Sequence, residues 1–253
     1  MILIGGDSWG VGPCERNRNI LHNGIAQMLK EQGQLTINLS QGGISNFDIA
    51  DRIRGFVDAN AVLIKEKLKC ILIFQTEWNR DYSDIKLFAE TNVYHQWNKN
   101  HSNLNFDYPL IAQQAISKFY YNLSSISKLC NAPVYIIGGC SDAIYLDKFS
   151  IEYPGVEVVC QSLVNLLVNN DHKIADPVYS FFSKAYKNLI VKIKKNSSNS
   201  SLEILLDDMD KGKDRLNLFK KHPEYFWPDG IHANQFGHKI LFEFLQDKIP
   251  GLV

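Results

Sequence analysis

No sign of charge predominates in this sequence. Its 27 basic and 27 acidic residues balance to a formal net charge of zero, so neither a nucleic-acid partner nor an anionic membrane surface is indicated. The short basic clusters at Lys192-Ile193-Lys194-Lys195 and Lys211-Gly212-Lys213 read as solvated faces. No apolar run approaches the roughly 20 residues that a membrane-spanning helix needs. The five cysteines, Cys14, Cys70, Cys130, Cys140 and Cys160, are odd in number and form no Cys-x-x-Cys pair. That excludes the usual zinc knuckle and redox motif, and Cys70, Cys130 and Cys160, set among apolar residues, read as small buried hydrophobes. No residues stand at metal-ligand spacing and no glycine loop has dinucleotide or phosphate-binding form, so no metal or cofactor is expected. No basic, apolar leader precedes the first apolar segment, and reduced thiols in the cytoplasm are the expectation. Oligomeric state leaves no mark in the sequence.

What is present is an alternation of short apolar runs and helical patterns. With 253 residues and 45% hydrophobic content, the chain has enough apolar surface for a full core, and one domain over 1–253 is expected. Met1 to Gly5, Leu35 to Leu39, Lys69 to Phe74 and Pro133 to Ile137 have the length and composition of parallel strands buried on both faces. Gly155 to Val159 offers a fifth strand or an extended piece. Helical periodicity falls between them at Ile20 to Leu29, Asn46 to Lys67 and Ile111 to Leu129, then at Gln161 to Val168 and Tyr179 to Lys194. Such alternation implies right-handed crossovers, hence a three-layer α/β/α fold with a doubly wound, mostly parallel sheet of about five strands. Two stretches break the plan. Residues 82–109, rich in Asn, His, Tyr and Trp, follow the third strand and read as a lid or substrate insertion; Tyr94, Trp97, Phe106 and Tyr108 either meet substrate or staple the loop to the core. Residues 141–226 read as a helical insertion, with a polar loop at Asn196 to Ser201.

The first ten residues carry the most chemical information. An apolar strand ends in Gly5-Gly6 and then delivers Asp7-Ser8-Trp9, the way an α/β protein sets a reactive side chain at the carboxyl edge of its sheet. A serine hydroxyl is a poor nucleophile at neutral pH and needs a base. Trp227-Pro228-Asp229-Gly230-Ile231-His232 supplies an imidazole with a carboxylate three residues before it, close enough to orient the ring. Taken singly, each motif is also an ordinary turn: Ser8 as a capping hydroxyl, Asp229-Gly230 as a turn, Asn234 as the cap of a following helix. His22, His172 and His238 read as structural or surface histidines, and Asp48 and Asp51 as the polar side of a helix.

Gly6-Asp7-Ser8 near one end and Asp229-x-x-His232 near the other resemble the SGNH hydrolase superfamily, also called GDSL esterases. The intermediate segments add to the resemblance. Asn38-Leu39-Ser40-Gln41-Gly42-Gly43-Ile44-Ser45-Asn46 is similar to the glycine block after the second strand, with Gly43 the best match. Phe74-Gln75-Thr76-Glu77-Trp78-Asn79-Arg80-Asp81 is similar to the asparagine block after the third, with Asn79 at the asparagine. Here the chain departs: the family usually reads Gly-x-Asn-Asp, whereas this sequence has Glu77-Trp78-Asn79-Arg80, so the backbone there should follow another path. The resemblance implies a flavodoxin-like fold and ester hydrolysis through an acyl-serine intermediate, with Ser8, Asp229 and His232 catalytic. It implies an oxyanion hole built from the N–H groups of Ser8 and Gly43 and the amide of Asn79. Trp9, Glu77, Trp78 and Arg80 stand beside these blocks as candidate substrate contacts, with a buried Trp9 and a Glu77–Arg80 ion pair as the alternatives. A polar, aromatic insertion favours a small acyl group, such as acetyl, on a carbohydrate. A lipase, a thioesterase or an O-acyltransferase on the same triad is the alternative enzyme, and an inactive carbohydrate-binding module the alternative of another class.

Overall fold

The computed structural model describes residues 1–12, 24–81, 108–143, 153–176, 178, 184–195 and 200–253. Five strands and nine helices lie among them. In chain order they are β1 (Ile2–Gly6), α1 (Ser8–Val11), α2 (Gly24–Glu31), β2 (Thr36–Asn38), α3 (Asn46–Ala59), α4 (Ala61–Lys67), β3 (Cys70–Gln75), a 3₁₀ turn (Trp78–Asp81) and α5 (Tyr108–Cys130). Then come β4 (Val134–Gly138), β5 (Val156–Cys160), α6 (Leu163–Asn169), α7 (Lys184–Lys194), α8 (Ser201–Lys221) and α9 (Gln235–Lys248).

All strand pairings are parallel, in the order β2-β1-β3-β4-β5. The order reverses between β1 and β3, and in open α/β sheets the crevice at such a switch point lies beyond the carboxyl ends of the strands. Ser8 follows β1 there. Gly6 is needed at this point because β1 and β3 run in register (Gly6 opposite Phe74). A Cβ on Gly6 would sit 2.7 Å from Phe74 Cβ and 3.3 Å from Gly10 Cα.

Alternate strand residues feed two separate cores. Leu3, Ile71, Ile73, Val134 and Ile136 pack on one face with α3 and α5. Ile2, Ile4, Leu72, Phe74 and Ile137 pack on the other with α2, α6 and α9. Burial on both faces is why these strands read as unbroken apolar runs rather than as alternating ones. The sequence expectation of a doubly wound α/β sheet therefore holds, and residues 156–160 complete it as an edge strand rather than belonging to an insertion.

Several elements differ from expectation. The helix expected over 46–67 is two helices broken at Asn60, whose side chain bonds the Phe56 carbonyl at 2.9 Å. The 21-residue α8 did not stand out in the sequence. Its first half places Leu202, Leu205 and Met209 in one core, whereas Phe219 near its end belongs to the other. The helix thus carries the chain from one face of the sheet to the other. Arg215 fastens it where it passes the end of β4, bonding the Cys140 carbonyl and making a two-pronged ion pair with Asp142 at 2.8 and 2.7 Å. Residues 82–107 of the expected lid, with Tyr94, Trp97 and Phe106, lie outside the described residues, as do Cys14, His22 and residues 20–23 of the first expected helix; so does the Tyr108 side chain. No helix among the described residues is long and apolar enough to cross a membrane.

Candidate active site

Ser8 opens α1, and Asp7 before it caps that helix by accepting the Trp9 N–H at 3.0 Å. This fixes the backbone at Ser8 against the end of β1. The imidazole arrives from the other end of the chain. Phe226 and Ala233 pair as an isolated antiparallel bridge, and the Trp227 N–H donates to the His232 carbonyl at 2.8 Å, closing a tight loop around Asp229 and His232. Asn234 then caps α9 by accepting the Gly237 N–H at 2.9 Å, so its capping role and the histidine's placement are parts of one turn. Beneath the loop, Phe219 stacks on Phe226 with centroids 4.5 Å apart, and Trp9 packs against both and against the His232 ring.

Two short bonds link the three groups, one within the loop and one across to Ser8. His232 Nε2 lies 2.8 Å from Ser8 Oγ, and His232 Nδ1 lies 2.7 Å from Asp229 Oδ2. The other Asp229 oxygen accepts the N–H groups of Ile231 and His232 at 2.9 and 3.1 Å. Partial burial opposes the charge on Asp229, but the bonds from the His232 ring and these two amides outweigh it and hold the carboxyl below its ordinary value. An ionised carboxylate can only accept. Nδ1 therefore carries the proton, and Nε2 offers a lone pair to the Ser8 hydroxyl.

The glycine block lies against the serine. Leu39 and Gln41 continue the β2–β1 ladder through bonds to the Ile4 and Gly6 carbonyls, and Asn38 Nδ2 reaches the Gly10 carbonyl at 2.9 Å. A Cβ on Gly42 would come within 3.8 Å of Ser8 Cβ. Gly43 has φ +80°, a left-handed conformation open to glycine at little cost, and nothing lies within 4 Å of a Cβ built there. Ser45 and Asp48 then close a capping box at the start of α3, a local role for Asp48.

The third block is tied to the second at several points. Asn46 makes a double bond pair with Thr76, its amide donating to the Thr76 carbonyl and its oxygen accepting the Thr76 N–H, both at 3.0 Å. Asp81 accepts the Phe47 N–H at 2.8 Å. Burial pushes the Asp81 carboxyl up to about 6 despite that bond. The backbone of Asn79 lies in the 3₁₀ turn beside these ties; its side chain lies outside the described part of the structure.

The candidate substrate contacts are differently disposed. Trp9 is 1% and Trp78 2% exposed, each locked in one of the two cores rather than walling a cleft. Glu77 is also buried. Its carboxylate bonds Arg80 Nε and accepts from Thr76 Oγ1 at 2.7 Å, so the ion-pair alternative describes it. Arg80 keeps 30% of its side chain exposed and also reaches Asp7 Oδ2 at 3.3 Å. Thr76 Oγ1 lies 2.9 Å from that same Asp7 oxygen. A hydroxyl has one proton to give, so Thr76 serves one carboxyl at a time and Arg80 is the cation both share. Burial raises the Asp7 carboxyl, Arg80 draws it back, and Glu77 raises it again. This cluster was not legible as such, because Asp7, Thr76, Glu77 and Arg80 meet only once β1 and β3 are paired. Asp142 and Arg215 likewise meet only once α8 passes the end of β4.

His238 is buried against Phe74, and His172 packs on Phe244. Cys70, Cys130, Cys140 and Cys160 are buried free thiols, and burial pushes Cys70 up to about 11. Among the described residues no group of three or more His, Cys, Asp or Glu side chains could hold a metal ion.

No protein-family profile and no curated protein sequence matches this chain. Among solved structures it is similar to TesA, at 12% identity and a TM-score of 0.40 over 100% of this chain and 99% of that one. It is also similar to the psychrotrophic esterase EstA from Pseudoalteromonas sp., in a form inhibited by monoethylphosphonate, at 13% identity and a TM-score of 0.42 over 98% of this chain and 95% of that one.

Proposed function

We propose that this protein hydrolyses a carboxylic ester with a small acyl group, such as an acetyl group on a carbohydrate, through an acyl-serine intermediate. The observation that supports this reading is the unbroken path from the Asp229 carboxylate through His232 to the Ser8 hydroxyl, with separations of 2.7 and 2.8 Å. In the first step Ser8 Oγ attacks the ester carbonyl while His232 Nε2 takes its proton, then returns it to the departing alkoxide. Asp229 holds the ring in the tautomer this needs and stabilises the imidazolium. In the second step a water molecule, deprotonated by the same nitrogen, releases the acid and restores the serine. Both steps develop negative charge on the former carbonyl oxygen, for which the N–H groups of Ser8 and Gly43 and the Asn79 amide are the proposed donors.

The preference for a hydroxylated alcohol rests on the surroundings. A shallow, solvent-open depression of about 440 Å³ lined by Gln41, Ile44, Asp48, Asp51 and Arg52 lies next to the glycine block. Asp48 and Arg52 on its rim are bonded within the protein, to Ser45 and to the Leu39 carbonyl. This polar surface suits a hydroxylated alcohol better than a long alkyl chain, which would strip water from it without replacing the lost bonds. The test is hydrolysis of p-nitrophenyl acetate and p-nitrophenyl octanoate by wild type and Ser8→Ala. Acetate turnover that needs Ser8 and exceeds octanoate turnover is the expected result. Turnover unchanged in Ser8→Ala, or absent from both proteins across an ester panel, would overturn the hydrolytic reading; a preference for octanoate would overturn only the choice of substrate.

A further inference from the structure

One guanidinium is bonded next door to every proposed oxyanion donor. Arg80 directly follows Asn79. Its Nη1 lies 3.3 Å from Asp7 Oδ2, one residue before Ser8, and 3.4 Å from the Ile44 carbonyl oxygen, one residue after Gly43. Its Nε is held by the buried Glu77 carboxylate. From this geometry we infer that Arg80 is a positioning residue for catalysis, a clamp that sets the Ser8, Gly43 and Asn79 donors relative to one another. The inference rests on the hydrolytic reading above and adds a residue that does not itself touch the reacting atoms.

The physical need for a clamp comes from charge. Asp7 and Glu77 are 2% and 5% exposed, and the Thr76 hydroxyl between them can satisfy only one carboxyl at a time. Without a shared cation, the two buried carboxyls cannot both stay ionised where they are: one takes up a proton or the segments that carry Ser8 and Asn79 move apart, and either change alters the bonds that fix those segments. A displacement near 1 Å of an aligned catalytic group is enough to lose about 100-fold in rate. The task also requires a planar fork. Nε must meet one carboxylate while Nη1 meets a second carboxylate and a carbonyl, a division of directions that a lysine ammonium on its flexible stem does not reproduce. Other ties, among them the Asn46–Thr76 pair and the Asp81–Phe47 bond, join the same loops without Arg80. Its loss should therefore displace donors more than it unfolds the protein.

Because the Arg80 side chain is 30% exposed, removing it leaves a void open to solvent, and that makes chemical rescue a direct test. The experiment measures kcat and KM for p-nitrophenyl acetate in wild type, Arg80→Ala and Arg80→Lys, with and without millimolar guanidinium, alongside thermal unfolding of each protein. The clamp requires kcat to fall by about 100-fold in Arg80→Ala with KM changed less than about threefold. Guanidinium should return at least about tenfold of that loss while leaving wild type unchanged, and Arg80→Lys should stay impaired although it keeps the charge. Wild-type kcat in either variant, a loss confined to KM, or a folded Arg80→Ala that guanidinium does not revive would overturn the inference. Should Arg80→Ala fail to fold, the kcat of Arg80→Lys decides alone. A wild type without Ser8-dependent turnover is a different failure, that of the hydrolytic reading, and the clamp falls with it.

Discussion

At the scale of single residues, the reactivity proposed for Ser8 depends on one proton being in the right place. Asp229→Asn preserves the shape of the loop but lets an amide donate toward Nδ1, which favours the tautomer with its proton on Nε2. Steady-state kinetics should then show kcat lower by about 10³- to 10⁴-fold in a protein whose circular dichroism is unchanged; a loss of less than about tenfold would remove Asp229 from the proposed triad. Asn79→Ala removes one proposed donor and should lower kcat by about 100-fold, on the order of 3 kcal/mol, with little change in KM. Ser8, Asp229 and His232 stood out in the sequence as candidates because each sits in a short, local motif: a glycine pair delivering a serine, and a carboxylate three residues from an imidazole. For Trp9 and Glu77 the sequence left two alternatives open, and for Trp78 it offered substrate contact, since a side chain beside a candidate nucleophile or donor points to substrate or to core depending on packing. Burial and the Arg80 ion pair describe Trp9 and Glu77, and Trp78 is buried in a core. Gly6 is a residue whose constraint is purely steric. Gly6→Ala would place a Cβ 2.7 Å from Phe74 Cβ and should destabilise the protein by about 1–3 kcal/mol in a denaturant titration; an unchanged midpoint would mean that β1 and β3 yield more easily than close packing allows.

At the scale of elements, the consequential piece is α8, which moves the chain across the sheet edge and presents the Asp229–His232 loop to Ser8. Its buried anchor is the Asp142–Arg215 pair, with side chains 0% and 8% exposed. Asp142→Ala would leave a buried guanidinium without its carboxylate and should cost about 3–5 kcal/mol, measured by chemical unfolding. A cost under about 1 kcal/mol would mean that α8 is held by its apolar contacts alone. The sequence concealed this helix because its apolar stripe changes sides partway along, from Leu202, Leu205 and Met209 to Phe219, and because buried Asp208 and Arg215 interrupt the apolar periodicity. The start of α3 has a pH signature. Asp81 titrates at about 6 in the folded protein, above the ordinary carboxyl value near 3.9. Between those values the folded state binds more protons than the unfolded one, so stability from this group is gained as pH falls through 6 and lost as it rises again. Asp229 has the opposite sign, its depressed carboxyl contributing above its unfolded value and losing that contribution in stronger acid. Asp81→Asn, which keeps an oxygen for the Phe47 N–H, should therefore gain melting temperature over wild type at pH 8 and less of it at pH 5. Equal gains at both would sink the assignment.

At the scale of the whole molecule, β1, β3 and β4 form a triplet flanked by the three-residue β2 and by β5, whose pairing with β4 carries an irregularity at Ile136/Ile137. Native-state hydrogen exchange should find the amides of Ile2–Gly6, Cys70–Gln75 and Val134–Gly138 slowest, and those of Thr36–Asn38 and Val156–Cys160 faster. Uniform protection across all five strands would deny the edges their weaker hold. The two cores account for what was readable. Burial on both faces forces strands to be continuously apolar, and capping forces serine, aspartate or asparagine to helix starts, so β1, β3, β4, α3 and α9 announce themselves in a linear sequence. By itself the sequence determined the α/β class, the strand that ends at Ser8 and the loop that offers His232, because these follow from local periodicity and local hydrogen bonding. Only the tertiary structure decided that Ser8 and His232 meet across 224 residues, that Arg80 bridges Asp7, Glu77 and Ile44, and that Arg215 lies under the same edge. Those contacts are made between segments remote in the chain, where the free energy depends on distance in space and on exclusion of water.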